Sequence, residues 1–187
     1  MNMKVITHNP GKVREYACAL EEYGIVMEHL NMEYDEIQTD RVEEVVRNGL
    51  AHLYSQKYNN FMIDDTGLFI RCLKGFPGAW SAYVQNTIGN QGILKLMENA
   101  VDRQAEFRCC IGCCIDGEQI EVTGVCPGTI LNEEQGKDGF GYDPIFSPDG
   151  KRSFSEMSVE EKNGISHRGK ATALLIETLR TKGFISR

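Results

Sequence analysis

An α/β fold with a mixed β-sheet is predicted by three features of the sequence. Short strand-like runs alternate with amphipathic helical patterns through the first third, two long strand-like runs flank a hairpin signal in the middle, and the end returns to helix. No repeat, linker or low-complexity segment interrupts the 187 residues. That length fits one domain, residues 1–187, and suffices to bury most of the surface an unfolded chain exposes.

Residues 4–7 form the first strand. Asn9-Pro10 supplies an N-cap with proline at the first helical position, Val13, Tyr16, Ala17 and Leu20 recur at helical spacing, and Gly24 stops the helix. A strand at residues 25–30 leads to a helix with Val42, Val45, Val46, Leu50 and Leu53 on one side. Phe61-Met62-Ile63 reads as a short buried strand ending at Asp64-Asp65, Thr66-Gly67 as a turn, and residues 67–70 as a resumed strand. Residues 74–92 read as a glycine- and proline-rich loop entering a helix at Ile93, Leu94 and Met97. Strands at 105–115 and 119–126 flank the hairpin dipeptide Asp116-Gly117. Ser158 and Glu161 make a capping box, and Ser166 caps a last helix burying Ala171, Leu174, Leu175 and Leu179.

The composition is that of a folded soluble chain, with no signal segment and no apolar run of eighteen residues, which predicts a cytoplasmic protein. A net charge of −7 disfavours nonspecific attraction to nucleic acid or an anionic membrane, so a phosphate partner must be met by a local basic cluster or a metal. Cys109, Cys110, Cys113 and Cys114 invite a zinc reading, but no second knuckle accompanies them and they sit at strand length with neighbours on opposite faces. Small, reduced, buried side chains are the preferred reading.

Four stretches offer chemistry. Thr7-His8-Asn9-Pro10-Gly11-Lys12 turns a strand into a helix, where free backbone N–H groups, a hydroxyl, an amide and a lysine suit phosphate oxygens. An ordinary capped helix is the competing reading, which Lys12, opposing the helix dipole, fits less well. Glu36, Asp64 and Asp65 form a sparse acid set of the kind a hard divalent ion uses beside phosphates. By itself Glu36 reads better as a solvated loop residue. An aspartyl-phosphatase reading fails, because it wants Asp-x-Asp-x-Thr and these acids are adjacent. In residues 136–144, glycines leave the face of Phe140 open for a planar base and Asp143 can accept its hydrogen bonds, the alternative being a loop with core aromatics. His167 and Arg168, preceded by Glu161-Lys162, place basic side chains at a helix start, where an acceptor-rich ligand explains them better than a solvated helix end.

Thr-x-Asn-x-x-Lys at 7–12, Asp-Asp-Thr-Gly at 64–67, Gly-x-Pro-Gly at 75–78, Phe-Gly-Tyr-Asp-Pro at 140–144 and Glu-Lys-Asn-x-Ile-Ser-His-Arg at 161–168 together resemble the inosine triphosphate pyrophosphatase family, the Ham1-like group. The likeness spans nearly the whole chain in order, and residues 36–38 and 84–96 look like the family's archaeal branch. It implies an elongated, two-lobed α/β protein with a central mixed sheet flanked by helices, the active cleft between the lobes, and usually a homodimer. It also implies hydrolysis of ITP, dITP and XTP to the monophosphate and pyrophosphate by a metal-activated water, cleansing the nucleotide pool of deaminated purines.

Carried over by position, the loop Thr7, His8, Asn9, Pro10, Gly11 and Lys12 would hold the triphosphate. Glu36 and Asp65 would coordinate Mg2+, and Asp65 would also activate the attacking water. Thr66 would contact substrate; Phe140, Gly141, Tyr142, Asp143 and Lys162 would form the base and sugar pocket; His167 and Arg168 would read the 6-oxo group. His8 stands where the family often has glycine, so a stiffer loop and an added phosphate contact are both open. Asp64 is a second candidate for sharing the metal. A pyrophosphatase for modified pyrimidine triphosphates and a non-hydrolysing nucleotide sensor are the rival readings, and a sensor would have no use for Asp65.

Overall fold

The computed structural model describes residues 1–185. Among them, seven strands form one mixed sheet: β1 (Asn2–Ile6), β2 (Val26–Leu30), β3 (Phe61–Ile70), β4 (Pro77–Gly78), β5 (Gln104–Ile115), β6 (Glu118–Ile130) and β7 (Phe146–Ser147). Six α-helices flank it: α1 (Pro10–Glu21), α2 (Val42–Ser55), α3 (Ser81–Thr87), α4 (Gly89–Leu96), α5 (Val159–Ile165) and α6 (His167–Thr181). The strand order is β2-β1-β3-β5-β6-β7, with β4 on the end of β3. β1 runs parallel to β2 and β3, and the remaining pairs are antiparallel. The α/β class and mixed sheet therefore stand as the sequence predicts.

Alternation along the strands sorts the core into faces. Met3, Val5, Met62, Cys109, Ile111 and Cys113 meet α1 and α6 through Tyr16, Leu20, Ala171, Leu175 and Leu179. Ile6, Phe61, Ile63, Cys110 and Cys114 point the other way, onto Val42, Val46, Leu50 and Leu53 of α2. The cysteine run thus fills both faces of β5 with free thiols, and burial pushes those of Cys109, Cys110 and Cys113 up to about 12. A third cluster gathers the far ends of β3, β5 and β6 with Val84, Ile93, Met97, Phe146 and Phe154. That cluster is a second lobe.

Three local expectations are corrected. β3 does not end at the acids, and Thr66-Gly67 is not a turn: β5 pairs with every residue from Phe61 to Ile70, so the ladder carries the strand through the Asp pair. Residues 74–92 are not a plain loop. Between Gly78 and Gly89 the chain has neither glycine nor proline, and it forms α3, which seats Val84 in the second core. Ala17 and Leu174 are exposed, Leu174 by 43%, whereas Glu15 is buried on the inner side of α1.

The edge of β3 opens the cleft. β1 pairs with it only at Phe61 and Met62, and β4 only at Leu68 and Phe69. Between those contacts, residues 63–67 present an edge with no strand partner among the described residues, and the acids lie in that gap.

Candidate active site

Asn9 caps α1, its side-chain oxygen accepting from the N–H groups of Gly11 at 2.8 Å and Lys12 at 3.3 Å, with Pro10 at the first helical position. Thr7 Oγ1 accepts from Asn9 N, while the Thr7 carbonyl meets His29 Nε2 at 2.8 Å. His8 is exposed, with Nδ1 2.7 Å from Asn31 Oδ1, so its ring braces the loop against the chain after β2. Gly11 lies under the Phe140 ring, where a Cβ would come within 2.2 Å of Cδ1. Only glycine allows that contact between the loop before α1 and the loop that carries Phe140.

The adjacent aspartates face opposite sides of the sheet. Asp64 is buried, receiving Lys12 Nζ at 2.9 Å, Arg168 at 3.6 Å and Thr66 Oγ1 at 3.2 Å. Burial pushes its pKa up, but Lys12 and Arg168 outweigh that and hold it below the usual carboxylate range. Lys12 Nζ also donates to the Asp64 carbonyl at 3.0 Å, on the unpaired edge of β3. Asp64 is therefore engaged by cations of the protein itself. Asp65 turns into the cleft toward Glu36. Burial raises its pKa to about 6, with Lys12 opposing and Glu36 and Asp64 adding to the rise. Its Oδ2 is buried without a hydrogen-bond partner among the described residues. Burial likewise pushes the nearby Tyr34 hydroxyl up, aided by the charges of Glu36, Asp64 and Asp65.

At the other end, Asp143 Oδ2 accepts from Phe140 N at 2.8 Å and from Lys162 Nζ at 2.6 Å, and Lys162 lies 4.8 Å over the Phe140 ring. Gly139, at φ 81°, passes so close to Asp143 that a Cβ would stand 2.4 Å from Oδ2. Tyr142 Oη donates to the Ser81 carbonyl, and Gln85 and Asn90 both donate to that of Gly141, tying the loop to the second lobe. The His167 ring stacks on Phe107 at 4.5 Å; burial, with Arg168 and Lys162 beside it, holds it neutral. Arg168 is 2% exposed and pairs with Glu15, which Lys162 also reaches at 2.6 Å. Burial pushes the Glu15 carboxyl up, yet Arg168 and Lys162 draw it below its ordinary value.

One cleft of about 590 Å³ between the lobes is lined by Thr7, His8, Asn9, Pro10, Lys12, Glu36, Asp65, Thr66, the run Phe140 to Asp143, Lys162, His167 and Arg168. Of the residues singled out in the sequence for substrate or metal, Gly11 and Asp64 stand behind the wall. Its volume is that of a small-molecule site. Ser81, Ala82, Gln85 and Asn86 complete the lining from α3, and sequence reasoning missed them because that segment reads as loop. Glu15 was also missed; its signal is a carboxylate beside Tyr16 on the inward side of an amphipathic helix. The two basic residues at the start of α6 are thus one neutral ring and one buried, paired cation rather than two free charges.

Two carboxylates facing one opening, one with an orphaned buried oxygen, suit a hard divalent ion that takes its remaining ligands from water and substrate phosphates. Among the described residues no group of three or more His, Cys, Asp or Glu side chains is placed to hold a metal unaided.

The sequence model of the Ham1 family matches residues 3–178. A dITP/XTP pyrophosphatase of Pyrococcus horikoshii is 52% identical over 181 residues, covering 96% of this chain and 97% of that protein. Its counterpart of the same name in Thermococcus kodakarensis is 48% identical, covering 91% and 93%. The solved structure of a HAM1 protein from Coxiella burnetii superposes with a TM-score of 0.83 at 29% identity, over 97% of this chain and 99% of that one. The Staphylococcus aureus Ham1 protein gives 0.81 at 26% identity, over 97% and 100%.

Proposed function

The chain belongs to the Ham1 family, and we propose from that premise that it hydrolyses the noncanonical purine nucleoside triphosphates ITP, dITP and XTP to the monophosphate and pyrophosphate. The observation that carries the reading is the unpartnered carboxylate oxygen of Asp65, buried in the cleft opposite a helix start that bears Lys12. The relatives' name, dITP/XTP pyrophosphatase, supports the substrate class.

In this reading Thr7, Asn9 and Lys12 hold the triphosphate at the positive end of α1. Glu36 and Asp65 hold Mg2+, which when bound supplies positive charge against the phosphates and a Lewis acid. Asp65 orients the attacking water and takes its proton. Lys12 stabilises charge developing on the leaving pyrophosphate. The base lies in the pocket of Phe140, Gly141, Tyr142, Asp143 and Lys162, with Thr66 on the substrate and His167 and Arg168 toward the 6-oxo group. Adenine would leave those donors unpaired at about 1–3 kcal/mol each, so two give discrimination on the order of a hundredfold.

The test is pyrophosphate release from ITP, XTP, ATP, GTP and dTTP, each with magnesium and with chelator. Magnesium-dependent release from ITP and XTP with little from ATP is expected. Binding without release would make the protein a sensor, and a preference for dTTP would refute the purine pocket. The protein is further proposed to act in the cytoplasm as a homodimer, expected at twice 21.0 kDa by light scattering. Among the described residues no helix is long and apolar enough to cross a membrane.

A further inference from the structure

Six charges, five of them buried and Lys12 partly so, alternate in sign from one end of the cleft to the other. Lys12 meets Asp64 at 2.9 Å, Asp64 meets Arg168 at 3.6 Å, Arg168 meets Glu15, Glu15 meets Lys162 at 2.6 Å and Lys162 meets Asp143 at 2.6 Å. Three cations answer three anions, so the row is neutral. Lys12, Arg168, Lys162 and Asp143 line the cleft; Glu15, 4% exposed, stands behind it and joins the two halves of the row.

Glu15 spends one oxygen on each neighbour: Oε1 takes Lys162 Nζ and Oε2 takes Arg168 Nη1. Its backbone is tied as well, because Asn163 Nδ2 donates to the Glu15 carbonyl at 3.1 Å and fixes α5 to α1. Buried ion pairs commonly add little net stability over a well-packed apolar alternative, whereas leaving one partner alone is costly. What this carboxylate supplies is a fixed separation between two cationic side chains that enter the cleft from different helices.

We propose that Glu15 is a positioning residue for base recognition: by holding Lys162 and Arg168 at once it sets the affinity for the purine nucleotide and the preference for a 6-oxo base. The inference rests on the functional reading above. An amide in its place turns a donor toward one cation, and an aspartate, one methylene shorter, reaches one cation but not both.

Steady-state kinetics with ITP and ATP on wild type, Glu15→Gln and Glu15→Asp, alongside thermal melts, decide it. In Glu15→Gln the KM for ITP is expected to rise at least about tenfold and the ITP-to-ATP ratio of kcat/KM to fall about as much, with kcat for ITP within about threefold. Glu15→Asp should lie between Glu15→Gln and wild type. Asn163→Ala, which loosens the same helices without touching charge, should leave the ratio unchanged. If the Glu15 variants only melt earlier, with KM and ratio intact, if Asn163→Ala lowers the ratio equally, or if neither Glu15 variant folds, the carboxylate serves folding and the proposal is overturned. If Glu15→Gln alone fails to fold, Glu15→Asp decides on the same two readouts. Wild-type protein without ITP preference would overturn the functional reading together with this inference; wild-type preference with unaltered variants would overturn the inference alone.

Discussion

Asp64 and Asp65 are chemically identical and one residue apart, yet their surroundings drive them in opposite directions. Two cations beside Asp64 hold it ionised, while burial among carboxylates leaves Asp65 near 6. Asp65→Asn keeps the shape and removes the base, so kcat should fall by about 10²–10⁴ with the fold intact, as read by initial rates and circular dichroism; near wild-type turnover would remove Asp65 from the chemistry. His167 gives a prediction for pH. Its folded value lies well below 6.5, so below that pH the unfolded chain binds a proton the folded one refuses. Stability is therefore full above about 6.5 and is lost as pH falls, with a slope of at most about 1.4 kcal/mol per unit. His167→Phe keeps a ring against Phe107 and removes the titration, so its melting temperature between pH 7.5 and 5 should fall less than that of wild type.

Elements place these side chains. β3 is a full strand because β5 pairs with it throughout, and it is a site because β1 and β4 leave residues 63–67 open on the other edge. The period-2 alternation of β3 sends Asp64 to α1 and α6 and Asp65 to the cleft, an outcome that a strand ending at the acids would not produce. α6 brings His167 and Arg168 to the cleft by lying flat on β6 at Gly124, where a Cβ would stand 2.2 Å from the His167 carbonyl and 2.4 Å from Ala171 N. Both obstacles are backbone. Gly124→Ala must lift the helix, and a loss of about 1–3 kcal/mol is expected in urea melts, with a higher KM for ITP because His167 and Arg168 move too.

Across the whole molecule, the cleft borrows Phe107 and Tyr142 from the second-lobe core, but the two carboxylates that face its opening stand outside the cores. The apolar clusters lie under α1 and α6, under α2 and in the second lobe, and neither Glu36 nor Asp65 belongs to them. A chelator should therefore abolish ITP hydrolysis while leaving the melting temperature unchanged, and a large drop in the melt would mean that the ion also holds the fold. Local chemistry was legible in the residues themselves. Asn9-Pro10 caps α1, Asp116-Gly117 turns the β5–β6 hairpin, Ser158 and Glu161 form a capping box, and the apolar face of α2 is the one its spacing predicts. Each depends on neighbours within a few positions, where sequence order and spatial order coincide. The family motifs likewise marked the residues that line the cleft, because their types and spacing survive without coordinates. Tertiary structure alone decided the continuity of β3, the different allegiances of Asp64 and Asp65, and the burial of Glu15 between Lys162 and Arg168. The physical reason is the same for all three: a ladder partner 45 residues away and an ion pair spanning 153 residues are free-energy terms that no local window of the chain contains.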